Sequence, residues 1–598
     1  MTVRTLKAAA TAAIFAFCVT ELARASEGNE MAPVADALTP VKTMRLGSLA
    51  GYYLAARHAG FSKDLSAAAG YYASALARDP DNTELLDRSV LMNVAAGDIE
   101  KAARLAERLL ELEPNDQVAL LATIAVALRG QEVDSALESI STLEDTGGQL
   151  QLLMGGLMRA WTMAMDGRAA RAVNLLDDLE GPSWFDAFTN LHAGLVADHA
   201  GLNQIAEERL SRAMERDPGA IRVVDAYARA LARSGKTDRA IAVLDRFDES
   251  IGGGDSSYTE SVRQEIASGE VNPQITDPRA GVAEALYGIG SAMGREGSDT
   301  FAASLLQLSL FLAPGAYYPS MGLGQVLEAM RQHEAAIEVY RAIPGSPHER
   351  RAARVQEALN LNILERHDEA IAVLANLVEE NPDDIATAIA LGNVYRSRER
   401  FAQAEAVYSD VIERMGAVPD AYWTLYYYRG ISRERESKWS GAEADFRQAL
   451  ELQPEQPLVL NYLGYSLIDR GENLDEALDM VRQAVEQRPQ DGYIVDSLGW
   501  AYYRLGRYED AVRELERAVR LRPNDPVIND HLGDAYWQVG RKLEAMFQWS
   551  HARDMEPEPK DLEKILVKLE KGLVEPVVPV VSQDDSEPAG DADEVKAQ

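Results

Sequence analysis

Near the C-terminal end, Gly499, Ala511, Ala518 and Pro523 recur 34 residues later as Gly533, Ala545, Ala552 and Pro557. A fixed interval of this length, with small residues at set places and a closing proline, marks helix-turn-helix units stacked side by side, because one unit cannot bury its apolar face alone. Within Asp496 to Gly506, Leu498, Ala501, Tyr502 and Leu505 follow the three-and-four rhythm of a helix with one buried face. Gly499 and Ala511 are small where two antiparallel helices must approach closely. Gly506 ends the first helix because it adopts positive φ at little cost. Pro523 stops the second, lacking the N–H that a further turn needs.

The phase continues upstream. Gly464, Ala477, Ala484 and Pro489 match with one residue inserted, placed in the turn at Gly471 to Leu474. Earlier copies carry Gly430 with Ala442 and Phe446, Gly392 with Ala404 and Tyr408, and Gly324 with Ala336 and Tyr340. More degenerate copies include Gly194 with Gly201, Ala206 and Pro218 in the N-terminal third. Together they amount to about 14 repeats, six before residue 255 and eight after 282. The chain resembles the tetratricopeptide repeat (TPR) family, and the resemblance implies an all-α superhelical solenoid in two arrays with disordered termini.

The expected division runs as follows: a signal peptide at 1–25, a flexible leader at 26–48 and an N-terminal array at 49–254; an irregular linker or hinge at 255–282; a C-terminal array at 283–559, a capping helix at 560–574 and a disordered acidic tail at 575–598. The linker is bounded by Gly252-Gly253-Gly254 and Asn272-Pro273, which interrupt the period. At the start, Arg4 and Lys7 precede an apolar run from Ala8 to Val19 and the small residues Ala23 and Ala25, the pattern of a cleavable secretory signal. The only cysteine, Cys18, lies in that run behind Phe17, where a lipoprotein signal needs a small residue, so soluble periplasmic export is favoured over an outer-membrane lipoprotein.

A formal net charge of -35 argues against nucleic acid and against unassisted binding to anionic membranes. It suits a basic protein partner, or simply keeps a long solenoid soluble. Catalytic patterns are wanting, and neither cofactor nor metal is expected. His192 and His199 stand seven apart without a convergent third ligand and read as ordinary helix-surface histidines. Gly288-x-Gly290 and Gly322-x-Gly324 fall inside expected helices with no preceding strand, so helix packing explains them better than phosphate binding.

Binding remains. Five of seven Trp and 17 of 23 Tyr lie after residue 282. In the TPR family the first helix of each repeat lines a concave groove that accepts peptides or helices. Carried onto the matching repeats, those positions are Tyr427, Asn461, Tyr462, Tyr465, Asp496, Trp500, Tyr503, Arg504, Asp530, His531, Asp534 and Trp537. Aromatic rings with polar tips among carboxylates suit a ligand bearing Lys or Arg, although any single ring has packing between repeats as its alternative. Tyr502, Tyr536 and Trp549 are expected to be interhelical packing. The runs Leu460 to Leu467, Asp496 to Gly506 and His531 to Trp537 are similar to the C-terminal repeats of exported bacterial TPR scaffold proteins that partner a carboxyl-terminal processing protease and bring it cell-wall hydrolases as substrates. That resemblance implies a non-catalytic adaptor. A structural part of a polysaccharide or pilus export apparatus, and more distantly an enzyme grafted on 255–282, are the other readings.

Overall fold

The computed structural model describes residues 47–250 and 257–573. The expected signal peptide with Cys18, the triple glycine and the acidic tail lie outside them. Among the described residues there are helices and no strands, and the helices succeed one another as fourteen pairs, six ending at Ser250 and eight beginning at Pro278. Helices Ser257–Ser268 and Pro559–Lys571 stand outside the pairs.

Each pair turns through at least one residue in the left-handed region. At Gly506 this is φ 73°, and Lys63, Gln131, Arg331, Glu365, Glu399 and Ser437 take φ between 56° and 63° at the equivalent place. The backbone therefore keeps the interval from Gly297 through Arg331 and Glu365 to Glu399, where side-chain identity has drifted. A non-glycine residue in this region costs on the order of 1 kcal/mol, so the fold imposes the turn against local preference. The residue inserted before Ala477 sits where expected: Gly471 has φ 73° and Asn473 φ 47°, and both flanking helices stay whole.

Close crossing within a pair also follows the sequence. A Cβ on Gly499 would lie 2.5 Å from Leu515 Cγ, and one on Gly533 would lie 2.5 Å from Trp549 Cδ1. Gly290 and Gly324 sit mid-helix against Leu305 and Tyr340, as packing glycines do. The alanines Ala442, Ala449, Ala477, Ala484, Ala511, Ala518, Ala545 and Ala552 are wholly buried.

The chain divides into two compact units, with the boundary after Ser397, in the turn of the tenth pair. The expected irregular linker or hinge at 255–282 carries helix Ser257–Ser268, which stands outside the pairs, and the start of helix Pro278–Arg295, which is held by long-range packing within the first unit. Asp277 caps Pro278–Arg295 by accepting from Arg279 N at 2.9 Å. The helix then lies against Gln149–Met165 and Phe185–His199, with Gly281 flat on the Trp161 ring. Glu284 takes both a 2.9 Å and a 2.8 Å bond from Arg222. The next helix, Asp299–Leu312, packs on Thr83–Ala95 and Gln117–Arg129, and Arg129 covers Phe311 at 4.3 Å. Thr83–Ala95, Gln117–Arg129, Gln149–Met165 and Phe185–His199 are first helices of their pairs, and Asp299–Leu312 also touches the second helix Ile99–Leu112. The inner face of the N-terminal repeats is thus filled by the chain's own residues 278–312.

His192 and the surface reading of it also need correction. The ring is 1 % exposed, and its Nδ1 accepts the Trp161 indole N–H at 3.0 Å. Burial drives its pKa down to about 4, so it is a neutral core histidine. His199 turns Nδ1 to the Ile275 carbonyl at 3.1 Å, which ties helix Phe185–His199 to the segment before Pro278.

Candidate functional site

In the second unit, helices Trp423–Arg435, Pro457–Arg470, Gly492–Arg504 and Pro526–Gln538 are the first helices of the last four pairs. Local sequence fixes their starts. Asp491 accepts from Tyr493 N at 3.2 Å, and Asp525 from Val527 N and Ile528 N at 2.9 and 3.0 Å with Pro526 at the first helical position.

The expected groove residues fall into three groups. The first is an aromatic cluster: Tyr427 meets Tyr462 edge-on at 6.1 Å, and the Tyr462 hydroxyl donates to Glu434 at 3.2 Å. Burial pushes that hydroxyl's pKa up to about 12, and burial followed by the Asp496 charge raises that of Tyr465. The second is a buried stack. Trp500 lies parallel to His531 at 4.0 Å and to Tyr503 at 4.7 Å. His531 Nδ1 is held by Asp496 at 3.0 Å. Burial opposes the imidazolium, but the Asp496 carboxylate outweighs it, and the histidine pKa is raised. The third is an acidic pair, Asp530 and Asp534, beside Trp537. Arg504 stands apart from all three, bonded to the Asp469 carboxylate and carbonyl at 3.0 and 3.1 Å.

Several positions assigned to the groove surface are interior. Tyr503 is 1 % exposed, and Asp496, His531 and Asp534 are also buried. Stacking between neighbouring first helices takes these groups inward. Asp534 in particular accepts the Trp549 indole N–H at 2.9 Å across its own pair. Tyr502, Tyr536 and Trp549 are buried between helices, as their positions indicated.

The terminal helix supplies what the sequence reading lacked. Lys568 Nζ reaches Asp530 Oδ2 at 2.7 Å and Asp534 Oδ2 at 2.8 Å. Burial works against the ammonium, yet Asp534 and Asp530 hold its pKa above the ordinary lysine value. Gly572 lies against the Trp537 ring, closer than any side chain would permit. Ile565 is 1 % exposed, with Leu569 and Leu573 packed on the same core. At the other end of the helix, Asp561 lies close enough to Tyr465, and Lys560 to Arg435, for their charges to be felt. Expected as an end cap, this helix packs on the preceding helix Lys542–Asp554 and also reaches the inner face of the last pair at Asp530, Asp534 and Trp537. The spacing Ile565, Lys568, Leu569, Gly572 on one helical face was the available signal.

The same face keeps buried polar atoms without a hydrogen bond: Asn461 Oδ1, Trp500 Nε1 and Asp530 Oδ1. Each such atom costs about 1–3 kcal/mol when unmatched. Among the described residues, no group of three or more His, Cys, Asp or Glu could hold a metal, and no helix is long and apolar enough to cross a membrane. The arrangement can hold an ammonium and apolar side chains by their shape and charge.

Family models described as "TPR repeat" and "Tetratricopeptide repeat" match residues 499–540, 363–426, 93–148 and 427–492. A TPR repeat-containing protein of Pseudomonas aeruginosa is 29% identical over 198 residues, which are 32% of this chain and 32% of that protein. The lipoprotein NlpI homolog of Haemophilus influenzae is 35% identical over 92 residues, 15% of this chain and 29% of that protein. The chain thus spans about a third of the length of the curated relatives it matches. Among solved structures, that of the APC/C hetero-tetramer Cut9-Hcn1 covers 88% of this chain and 97% of its own at 14% identity and a TM-score of 0.37. With helix pairs at a 34-residue interval and repeat models matching in both units, the chain carries tetratricopeptide repeats, and its membership of that family is supported.

Proposed function

We propose that this protein is an exported, non-catalytic scaffold that captures protein partners on the inner face of its second unit, among them a carboxyl-terminal processing protease and its cell-wall hydrolase substrates. The observation that carries the binding role is the acidic and aromatic face built by Tyr465, Trp500, Asp530, Asp534 and Trp537, where a lysine is already held. Aromatic anchors beside a desolvated carboxylate pair are the composition of a binding hot spot. The protease partnership is supported by the resemblance of the C-terminal repeats and by the short likeness to the lipoprotein NlpI homolog. Export rests on the N-terminal signal pattern. Two partners held on one scaffold gain effective concentration. Since residues 278–312 fill the inner face of the first unit, its outer face is the surface that serves a second partner.

The test is affinity capture from envelope extract with residues 26–598, followed by mass spectrometry. Recovery of a processing protease with hydrolases, lost in the Trp500→Ala, Trp537→Ala variant while helical content is kept, supports the reading. Recovery of neither, or of a set unchanged by the variant, refutes it.

A further inference from the structure

The inner face of the second unit is occupied by the chain's own helix Pro559–Lys571, and the fit is incomplete. The helix inserts Lys568 between Asp530 and Asp534, lays Gly572 on Trp537 and buries Ile565. Ile565 is its one fully buried side chain. Leu566 and Val567, on the side turned away, each remain 47% exposed. On the face it covers, Asp530 Oδ1 has no donor although Asp530 Oδ2 is bonded to Lys568. Asn461 Oδ1 also lacks a donor and Trp500 Nε1 an acceptor. These atoms leave hydrogen-bonding capacity that another occupant could use.

We propose, resting on the binding role assigned above, that this face is the seat of a partner's amphipathic helix, and that Pro559–Lys571 occupies the seat until that helix replaces it. The internal helix defines the ligand: an apolar residue, a lysine three positions on with an apolar residue next to it, and a glycine four after the lysine, as in Ile565, Lys568, Leu569 and Gly572. The lysine enters the Asp530 and Asp534 pair, the glycine admits the Trp537 ring, and the partner adds a donor at Asn461 and an acceptor at Trp500. Helix-in-groove binding of this kind is read through residues spaced by three and four. Occupation in cis lowers the apparent affinity for a partner by the fraction of molecules whose seat is open.

The experiment measures fluorescence anisotropy of a labelled synthetic peptide of residues 557–573 added to the full chain. The Ile565→Ala, Lys568→Ala chain, whose own helix is loosened, is expected to bind the peptide about tenfold more tightly than the unaltered chain. Adding Asp530→Asn and Asp534→Asn is expected to abolish that binding. Lys568→Ala alone provides the same comparison if the double substitution lowers helical content by circular dichroism. Equal binding by altered and unaltered chains, or no binding by a loosened chain of unchanged helicity, overturns the proposal. Because the probe is a defined peptide, the seat is tested independently of the protease partnership: peptide binding without envelope capture would refute that partnership and leave the seat standing.

Discussion

Acid should destabilise the first unit through His192. This ring is buried and accepts a hydrogen bond from Trp161, an arrangement open only to the neutral form, and burial holds its pKa at about 4, below the ordinary histidine value of 6.5. The unfolded chain therefore binds a proton that the folded chain refuses between those values, and stability falls as pH drops through that window. Between pH 7 and pH 5 the linkage relation gives a loss of about 2 kcal/mol from this one group, and below about pH 4 no more is lost. The assay is urea unfolding at pH 7 and pH 5 of the natural chain and of His192→Gln, whose amide oxygen can still accept from Trp161. The glutamine chain should begin less stable at pH 7, because the core was shaped for imidazole, yet lose about 2 kcal/mol less on acidification. Other titrating groups cancel in this double difference. Identical pH dependence in the two proteins would falsify the buried, neutral assignment.

Other outcomes follow from the repeat geometry. Glu365→Gly, at φ 61°, should stabilise the first unit by about 1 kcal/mol in thermal melts, while Gly201→Ala, at φ 72° with open space around it, should cost a similar amount. Gly499→Ala places a methyl 2.5 Å from Leu515 Cγ and 3.2 Å from its backbone nitrogen, and should destabilise the second unit by about 1–3 kcal/mol. Trp549→Phe removes the donor to buried Asp534 and leaves part of the indole's space empty, so a loss of at least about 1.5–3 kcal/mol is expected on chemical unfolding; a loss much below that would mean water takes the donor's place. His531, whose pKa is raised by Asp496, contributes stability that is full below pH 6.5 and declines as pH rises through its folded value; Asp496→Asn should remove that decline.

What the sequence disclosed was local. Gly499 against Leu515, Gly533 against Trp549 and the insertion at Gly471 lie within one helix pair, so a period of 34 places them in register. The left-handed Gln131, Glu365 and Glu399 were invisible because nothing in those side chains announces positive φ; only their interval does. The placement of 278–312 and of Pro559–Lys571 escaped for another reason. All three helices satisfy their own amphipathic pattern equally well as further repeats or as an end cap, and only distant residues, Trp161 and Arg222 in one case and Asp530, Asp534 and Trp537 in the other, decide where they lie. The groove residues were identified by family position, which locates the helix face without telling how deeply Tyr503 or His531 sinks into it.

The face that binds can be located directly by photo-crosslinking. A benzophenone amino acid would replace Tyr465 or Trp537 on the inner face, or the exposed Arg513 on a second helix, in chains carrying Lys568→Ala and exposed to envelope extract. Crosslinks to one and the same protein from positions 465 and 537, with none from 513, are what the groove assignment predicts. Crosslinks from 513 alone would contradict it and move the binding surface to the outer face.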